Sequence, residues 1–289
     1  MYDRAKKLVR RFEKIPAINN ALNRRYAKEF ATATNVNWFK GVYPDFATAS
    51  ADAPASKPLG YDNDAPASAD MYRFRMQAIS PCDYPVAFWL NRLMQPNQKL
   101  IDFGGHVGVL YYALTKYLTF PEPFEWEIYD VPAVIREARK FAAENGNSAP
   151  LSFSEDLTQS TPSDWVLFSG SLQYVEDSLS SIISQLRSRP TYILINMLPV
   201  HPDKSYVTLQ NISTAICPYR IHSASELLEE IEKLDGEVID QWKNADKACQ
   251  IPYHPDHSLD YYYGMLVRLN PAQDTTNQAP PEMSTTPRP

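Results

Sequence analysis

Three glycines and two acids are spaced to hold a small ligand. In "KLIDFGGHVGVLYYALTKYL", residues 99–118, an apolar run ends at Asp102, passes Gly104 and Gly105, and becomes helix-like after Gly108. Glycine at a strand-to-helix turn lets a ligand or a helix backbone approach where a Cβ would stand in the way. Asp102 can order that loop or accept a hydrogen bond from a ligand's ammonium group. A second run, "FEWEIYD", ends at Asp130, whose carboxylate can accept both hydroxyl hydrogens of a ribose. In "SEDL", after a third run, Asp156 can meet an adenine amino group and Leu157 can lie against the ring. A fourth run opens into "FSGSLQYVED", which puts Ser169, Gly170, Gln173 and Tyr174 at a pocket mouth. An acid at a helix start is also an ordinary cap. Two acids at successive strand ends favour a nucleoside-binding edge.

Charge selects among ligands. A dinucleotide's pyrophosphate asks for G-x-G-x-x-G and a free helix N-terminus. The string from Phe103 to Gly108, FGGHVG, lacks the first of those glycines. S-adenosylmethionine has no phosphate, so carboxylates can hold its adenosine while its amino-acid end meets the first-strand loop. It is the expected cofactor. A NAD(P)-dependent oxidoreductase and a non-catalytic nucleotide-binding adaptor stand as alternatives.

Methyl transfer needs the acceptor aligned behind the methyl group and, for a hydroxyl, a proton acceptor. His201 in "NMLPVHPDK" is the expected base, since a neutral imidazole can take a proton near pH 7. His106 is a second candidate, as base or cofactor contact. His222, ahead of "SASELLEEIEKL", is placed near a helix cap. His254, Asp256 and His257 in "IPYHPDHSLDYYYG" do not complete a ligand set, so no metal is expected and the segment is read as an acceptor-facing or solvent loop.

These residues need elements to position them. Strand-like runs at 99–103, 124–129, 151–153, 164–169 and 191–197 alternate with helix-like segments at 108–118, 132–144, 176–187 and 223–235. Two further strand runs, 236–242 and 260–269, have no helix between them. The pattern predicts an α/β domain over residues 95–270: a doubly wound, mostly parallel seven-stranded sheet with a late antiparallel hairpin. Ahead of it come an amphipathic helical segment (1–43), a loop or linker rich in Ala, Asp, Ser and Pro (44–70), and a helical cap split around "SPCDYP" (71–94). Residues 271–289 read as a disordered tail. Lys and Arg between the apolar residues of 1–30 can meet an anionic membrane surface weakly, or that helix docks on the main domain.

A net charge of -6 argues against a nucleic-acid partner and leaves a small-molecule acceptor. Cys82, Cys217 and Cys249 form no CxxC pair, which fits a reducing compartment. With no signal-peptide pattern or apolar span, a cytoplasmic protein is expected. The oligomeric state stays open.

On the stretch from Asp102 to Gly108, DFGGHVG, the chain resembles the class I S-adenosylmethionine-dependent methyltransferases. Their first motif is an acid, any residue, then Gly-x-Gly-x-Gly, and His106 stands where that motif has its middle glycine. More narrowly, it is similar to a poorly characterised bacterial group of methyltransferases, on "FKGVYPDFATA", "GYD", "LIDFGGHVG", "YDVPAV" and "LQYVED". The resemblance spreads over most of residues 39–270. It implies a Rossmann-like fold with S-adenosylmethionine as cofactor. By the same resemblance Gly104 and Gly108 shape the methionine pocket, Asp130 binds the ribose, and Asp156 with Leu157 holds the adenine. The implied reaction is methyl transfer to oxygen, less so nitrogen, of a sugar or other small metabolite.

Overall fold

The computed structural model describes residues 16–34, 37–60, 73–145 and 150–271. The helices are α1 (Pro16–Thr32), α2 (Phe46–Ala51), α3 (Tyr84–Leu93), α4 (Val109–Leu114), α5 (Pro132–Glu144), α6 (Leu179–Gln185) and α7 (Ala224–Lys233). The strands are β1 (Trp38–Tyr43), β2 (Lys99–Phe103), β3 (Glu125–Tyr129), β4 (Leu151–Ser154), β5 (Trp165–Ser169) and β6 (Tyr192–Leu198). They continue with β7 (Val200–His201), β8 (Tyr206–Asn211), β9 (Ile216–Ser223), β10 (Gly236–Asn244) and β11 (Tyr262–Leu269).

Apolar residues adjacent in β2, β5 and β6 point to opposite faces of their sheet, as the two-residue strand period requires. Ile101, Val166 and Ile193 pack against Leu179, Ile182 and Ile183 of α6 and Leu227 and Ile231 of α7. Leu100, Leu167 and Leu194 pack against Val86 and Leu90 of α3, Leu110 and Leu114 of α4, and Ile135 of α5. Both faces are therefore covered, which is why these strands read as continuous apolar runs.

The seven-stranded sheet runs β10-β11-β6-β5-β2-β3-β4. β2 pairs in parallel with β3 and β5, β3 with β4, and β5 with β6. β11 is antiparallel to both β6 and β10, the late hairpin expected from the sequence. The order reverses between β2 and β5, so their C-terminal ends flank the crevice where open α/β sheets bind ligands.

A second sheet, β1-β8-β9-β7, was not foreseen. β1 lies inside a segment read as helical and α2 inside one read as a loop, while β7 to β9 fall between two elements that were expected. β1 and β8 pair antiparallel, as do β8 and β9. α1 docks on this sheet: Tyr26 stacks on Trp38 at 5.6 Å and donates to the Phe39 carbonyl at 2.8 Å, and Phe30 is fully buried. Residues 1–15, on which half of the expected membrane contact rests, lie outside the described residues, as do Tyr61 and residues 272–289. Among the described residues no helix is long and apolar enough to cross a membrane.

The hairpin carries a packing constraint. Gly264 faces Trp242 across the β10–β11 pair, and a Cβ there would fall 2.2 Å from the indole. The ring is held in place by its Nε1 donating to Asn196 Oδ1 at 3.3 Å. Gly264→Ala is expected to cost about 1–3 kcal/mol through overpacking, read as a lowered urea midpoint with unchanged slope.

Candidate active site

β2 ends at Phe103, and the chain then reverses by placing Gly104 (φ 69°), His106 (φ 57°) and Gly108 (φ 90°) in the left-handed region. The turn is closed by Gly104 N donating to the Tyr129 carbonyl at 2.7 Å and Gly108 N donating to the Gly105 carbonyl at 3.0 Å. A Cβ on Gly104 would lie 2.5 Å from Ser171 Cβ, and one on Gly105 2.6 Å from Asp102 Cγ. Both glycines are therefore required by close approach, from the β5 loop on one side and the strand-end acid on the other. Gly108 caps α4 against Ile128 and Tyr112 and does not line the cavity.

Asp130 ties the second strand end to this turn. Its Oδ2 accepts from His106 N and its Oδ1 from Val131 N, both at 2.8 Å. Each oxygen keeps lone-pair capacity, so the side chain is fixed and can still accept a diol. Burial raises it to about 6 against the pull of those two N–H groups. Asp102 is 1% exposed. Burial raises its carboxyl to about 7, opposed by the Trp126 indole donating at 3.2 Å and assisted by the charge of Asp130. The two acids thus share the edge of the turn, Asp130 facing the cavity and Asp102 beneath it.

The cavity has a volume of about 660 Å³ and is bounded by the strand ends of the main sheet and by the second sheet. Asp102, Gly104, Gly105, His106, Asp130 and Ser169 all line it, so six of the expected cofactor residues come together. Ser169 receives a 3.5 Å hydrogen bond from Asn196 Nδ2. Tyr129 and Val131 also line it, and their places beside Asp130 could have signalled this. Gln173 and Tyr174 line it from the β5 loop as expected. Across from them, the Tyr174 hydroxyl donates to Gln210 Oε1 at 2.7 Å and Gln210 Nε2 donates to Asn37 Oδ1 at 3.0 Å. Gln210, Asn37, Tyr219 and Lys247 belong to this wall without any signal in a local motif.

Besides Gly108, three expected residues lie elsewhere. Asp156 caps a short turn, its Oδ1 accepting from Thr158 N at 2.9 Å and Thr158 Oγ1 at 2.7 Å. Leu157 is buried in the core beside Ile101 and Phe103. Neither lines the cavity. His201 is also off the lining. Its Nδ1 accepts from the N–H groups of Asp203 and Lys204 at 3.0 and 3.1 Å, so the proton sits on Nε2, which donates to the Asp256 carbonyl at 3.1 Å. With both nitrogens occupied, the assignment of His201 as base is withdrawn.

The remaining histidines are likewise outside the lining. Burial pushes His222 down to about 4, and Ser223 beside it caps α7 by accepting from Glu226 N at 3.1 Å. His254 and His257 stand 6.2 Å apart, ring to ring. Among the described residues no group of three His, Cys, Asp or Glu is placed to hold a metal ion.

Counted in chain order, the main sheet reads 6-7-5-4-1-2-3 with the seventh strand antiparallel. This is the strand order of the class I methyltransferase fold, and it differs from the all-parallel 3-2-1-4-5-6 of dinucleotide-binding domains. No protein-family model matches the chain, and no curated protein does. Solved structures similar to it include the 1,6-didemethyltoxoflavin-N1-methyltransferase of Burkholderia thailandensis, with 16% identity, 74% of this chain and 94% of that chain covered, and a TM-score of 0.45. A S-adenosylmethionine-dependent methyltransferase of Methanosarcina mazei shows 13% identity over 64% of this chain and 97% of that one, with a TM-score of 0.47. An O-methyltransferase family 2 protein of Planctomyces limnophilus, in complex with apigenin, shows 17% identity over 70% of this chain and 62% of that one, with a TM-score of 0.42. At such distances it is the strand order and the geometry of the glycine turn, rather than these likenesses, that bear on function.

Proposed function

We propose that the protein binds S-adenosylmethionine at the β2–β3 edge and transfers its methyl group to an oxygen of a small metabolite. The observation that supports this most is Asp130, a carboxylate fixed by two backbone N–H groups and facing the cavity beside a glycine turn. A ribose diol fits its remaining lone pairs. The turn from Gly104 to His106 suits the amino-acid end of the cofactor, and Asp102 and Ser169 line the cavity with it. When bound, the cofactor supplies a methyl group already activated by a sulfonium. The chain's own part is to hold the acceptor in line and exclude water. The sugar expected from resemblance is one acceptor of suitable size, and the aromatic far wall of the cavity favours another.

The test is calorimetric titration with S-adenosylmethionine, S-adenosylhomocysteine and NAD, on the wild type and on Asp130→Ala. Removing a charged hydrogen-bond partner costs about 1.5–3 kcal/mol, so the variant is expected to bind both methyl-cycle ligands about ten- to a hundredfold more weakly. Binding of NAD in their place, or equal affinity in the variant, would overturn the assignment.

A further inference from the structure

The half of the cavity facing away from the glycine turn holds, among the described residues, no buried side chain equipped to take a proton from a neutral hydroxyl. Of the described histidines only His106 lines the cavity, and it is buried within the turn itself. The Tyr219 hydroxyl donates to Tyr262 at 2.9 Å, and burial keeps it protonated far above neutrality. Tyr174 donates to Gln210. Asp246 stands at the exposed rim.

What that half does hold is a cation. Two basic side chains line the cavity, Arg75 and Lys247. Arg75 is paired with the buried carboxylate of Asp83 at 3.3 Å. Lys247, half-buried in the segment between β10 and β11, makes no ion pair among the described residues. The same cavity is lined by the rings of Phe46, Tyr174, Tyr219 and Tyr262. Flat rings stack well on such surfaces, and an ammonium facing the same cavity gains from an opposite charge brought into it.

Resting on the methyltransferase reading, we infer that the acceptor is an aromatic organic anion, a ring bearing a carboxylate or an ionised phenol, and that Lys247 is the residue that selects it. Such an acceptor needs no base. A lone pair of the anionic oxygen forms the new O–C bond, the S–C bond breaks with its electrons going to sulfur, and no proton moves. The sulfonium and the anion become a thioether and a neutral methyl ester or ether. A neutral sugar hydroxyl, by contrast, would need a proton acceptor, which among the described residues this wall offers only in the solvent-exposed Asp246. The Gln210 and Asn37 amides are left to fix polar substituents on the far edge of the ring.

The test uses the full chain in two stages. Calorimetry with S-adenosylhomocysteine comes first, and failure to bind it overturns the cofactor reading and the acceptor class together. The saturated complex is then titrated with salicylate, 4-hydroxybenzoate and 2-naphthoate, each against its uncharged amide. The acids are expected to bind at least about tenfold more tightly than their amides. Lys247→Met is expected to abolish that preference and Lys247→Arg to restore it, with S-adenosylhomocysteine affinity and unfolding midpoint unchanged in both. Amides binding as well as acids, a preference that survives in Lys247→Met, or a cofactor-loaded protein that binds none of the acids would overturn the acceptor class and leave the cofactor site standing.

Discussion

Gly104→Val is expected to cost the protein its cofactor affinity. The residue has φ 69°, a conformation that costs an L-residue about 1–2 kcal/mol, and β-branching makes it worse. Its Cβ would fall 2.5 Å from Ser171 Cβ, and relieving such an overlap costs about 1–3 kcal/mol more. If the turn moves to escape, the strain falls on binding, and at about 1.4 kcal/mol per tenfold the affinity drops between about thirtyfold and a few thousandfold. If it cannot move, the same cost appears as lost stability. Urea unfolding and calorimetry on one sample read the two together, and an affinity within about threefold of wild type at unchanged midpoint would show that no ligand approaches this turn. His106→Gly is the informative companion. His106 has φ 57°, so glycine relieves strain of about 1–2 kcal/mol while adding about 0.5–1 kcal/mol of chain entropy to the unfolded state. Stability should hardly change, and any loss of affinity then belongs to the imidazole.

The main sheet was legible because its strands are buried on both faces and its helices carry one apolar stripe, two patterns that survive in the sequence alone. Asp130 was legible for a related reason, since it follows the C-terminal end of β3, the neighbour of β2, whose end flanks the crevice. Asp156 occupies an equivalent place in the sequence, yet its carboxylate is used by Thr158 two residues on. Local capping and ligand binding use the same residue type at the same position, and spacing cannot separate them. His201 failed similarly, its Nδ1 taken by the N–H groups of Asp203 and Lys204 just after it and its Nε2 by the Asp256 carbonyl.

The second sheet was hidden by polar residues inside its strands. Thr208, Gln210 and Asn211 are buried in β8 because the N-terminal chain satisfies them: Thr208 donates to the Lys40 carbonyl, Asn211 to the Phe30 carbonyl and Gln210 to Asn37. Those partners lie more than 150 residues away, so the run reads as a loop until the pairing is known. Pro218 in β9 reads as a strand breaker. It is tolerated because β7 pairs only with His222 and Ser223, which leaves the side of β9 at Pro218 open to the cavity that it lines. Lys247 was invisible for a plainer reason, since a lysine's lack of a partner is a property of the folded wall.

Stability is expected to fall as pH rises from about 4 to about 7, and Asp102 to be the main cause. In the unfolded chain its carboxyl ionises near its ordinary value of 3.8, while burial holds it to about 7 in the folded protein. Between those values the folded state keeps a proton that the unfolded state has lost, so the stabilising difference present below pH 4 disappears as pH climbs through 7. Asp130, raised to about 6 by burial, acts in the same direction, while His222, pushed down to about 4 by burial, opposes the two acids by a smaller span. Asp102→Asn keeps an acceptor for the Trp126 indole and has no charge to bury. It is expected to match the wild type within about 1 kcal/mol at pH 5 and to exceed it by about 2–4 kcal/mol at pH 8, measured by urea unfolding at both values. A wild type that gains stability with pH in parallel with the variant would show that Asp102 ionises freely in the fold. The same carboxylate connects stability to binding. A ligand ammonium placed beside Asp102 favours its ionised form, so binding near pH 6 should release more protons in the wild type than in Asp102→Asn, where only Asp130 is left to ionise on binding, seen as an apparent enthalpy that follows the buffer's heat of ionisation more steeply in the wild type.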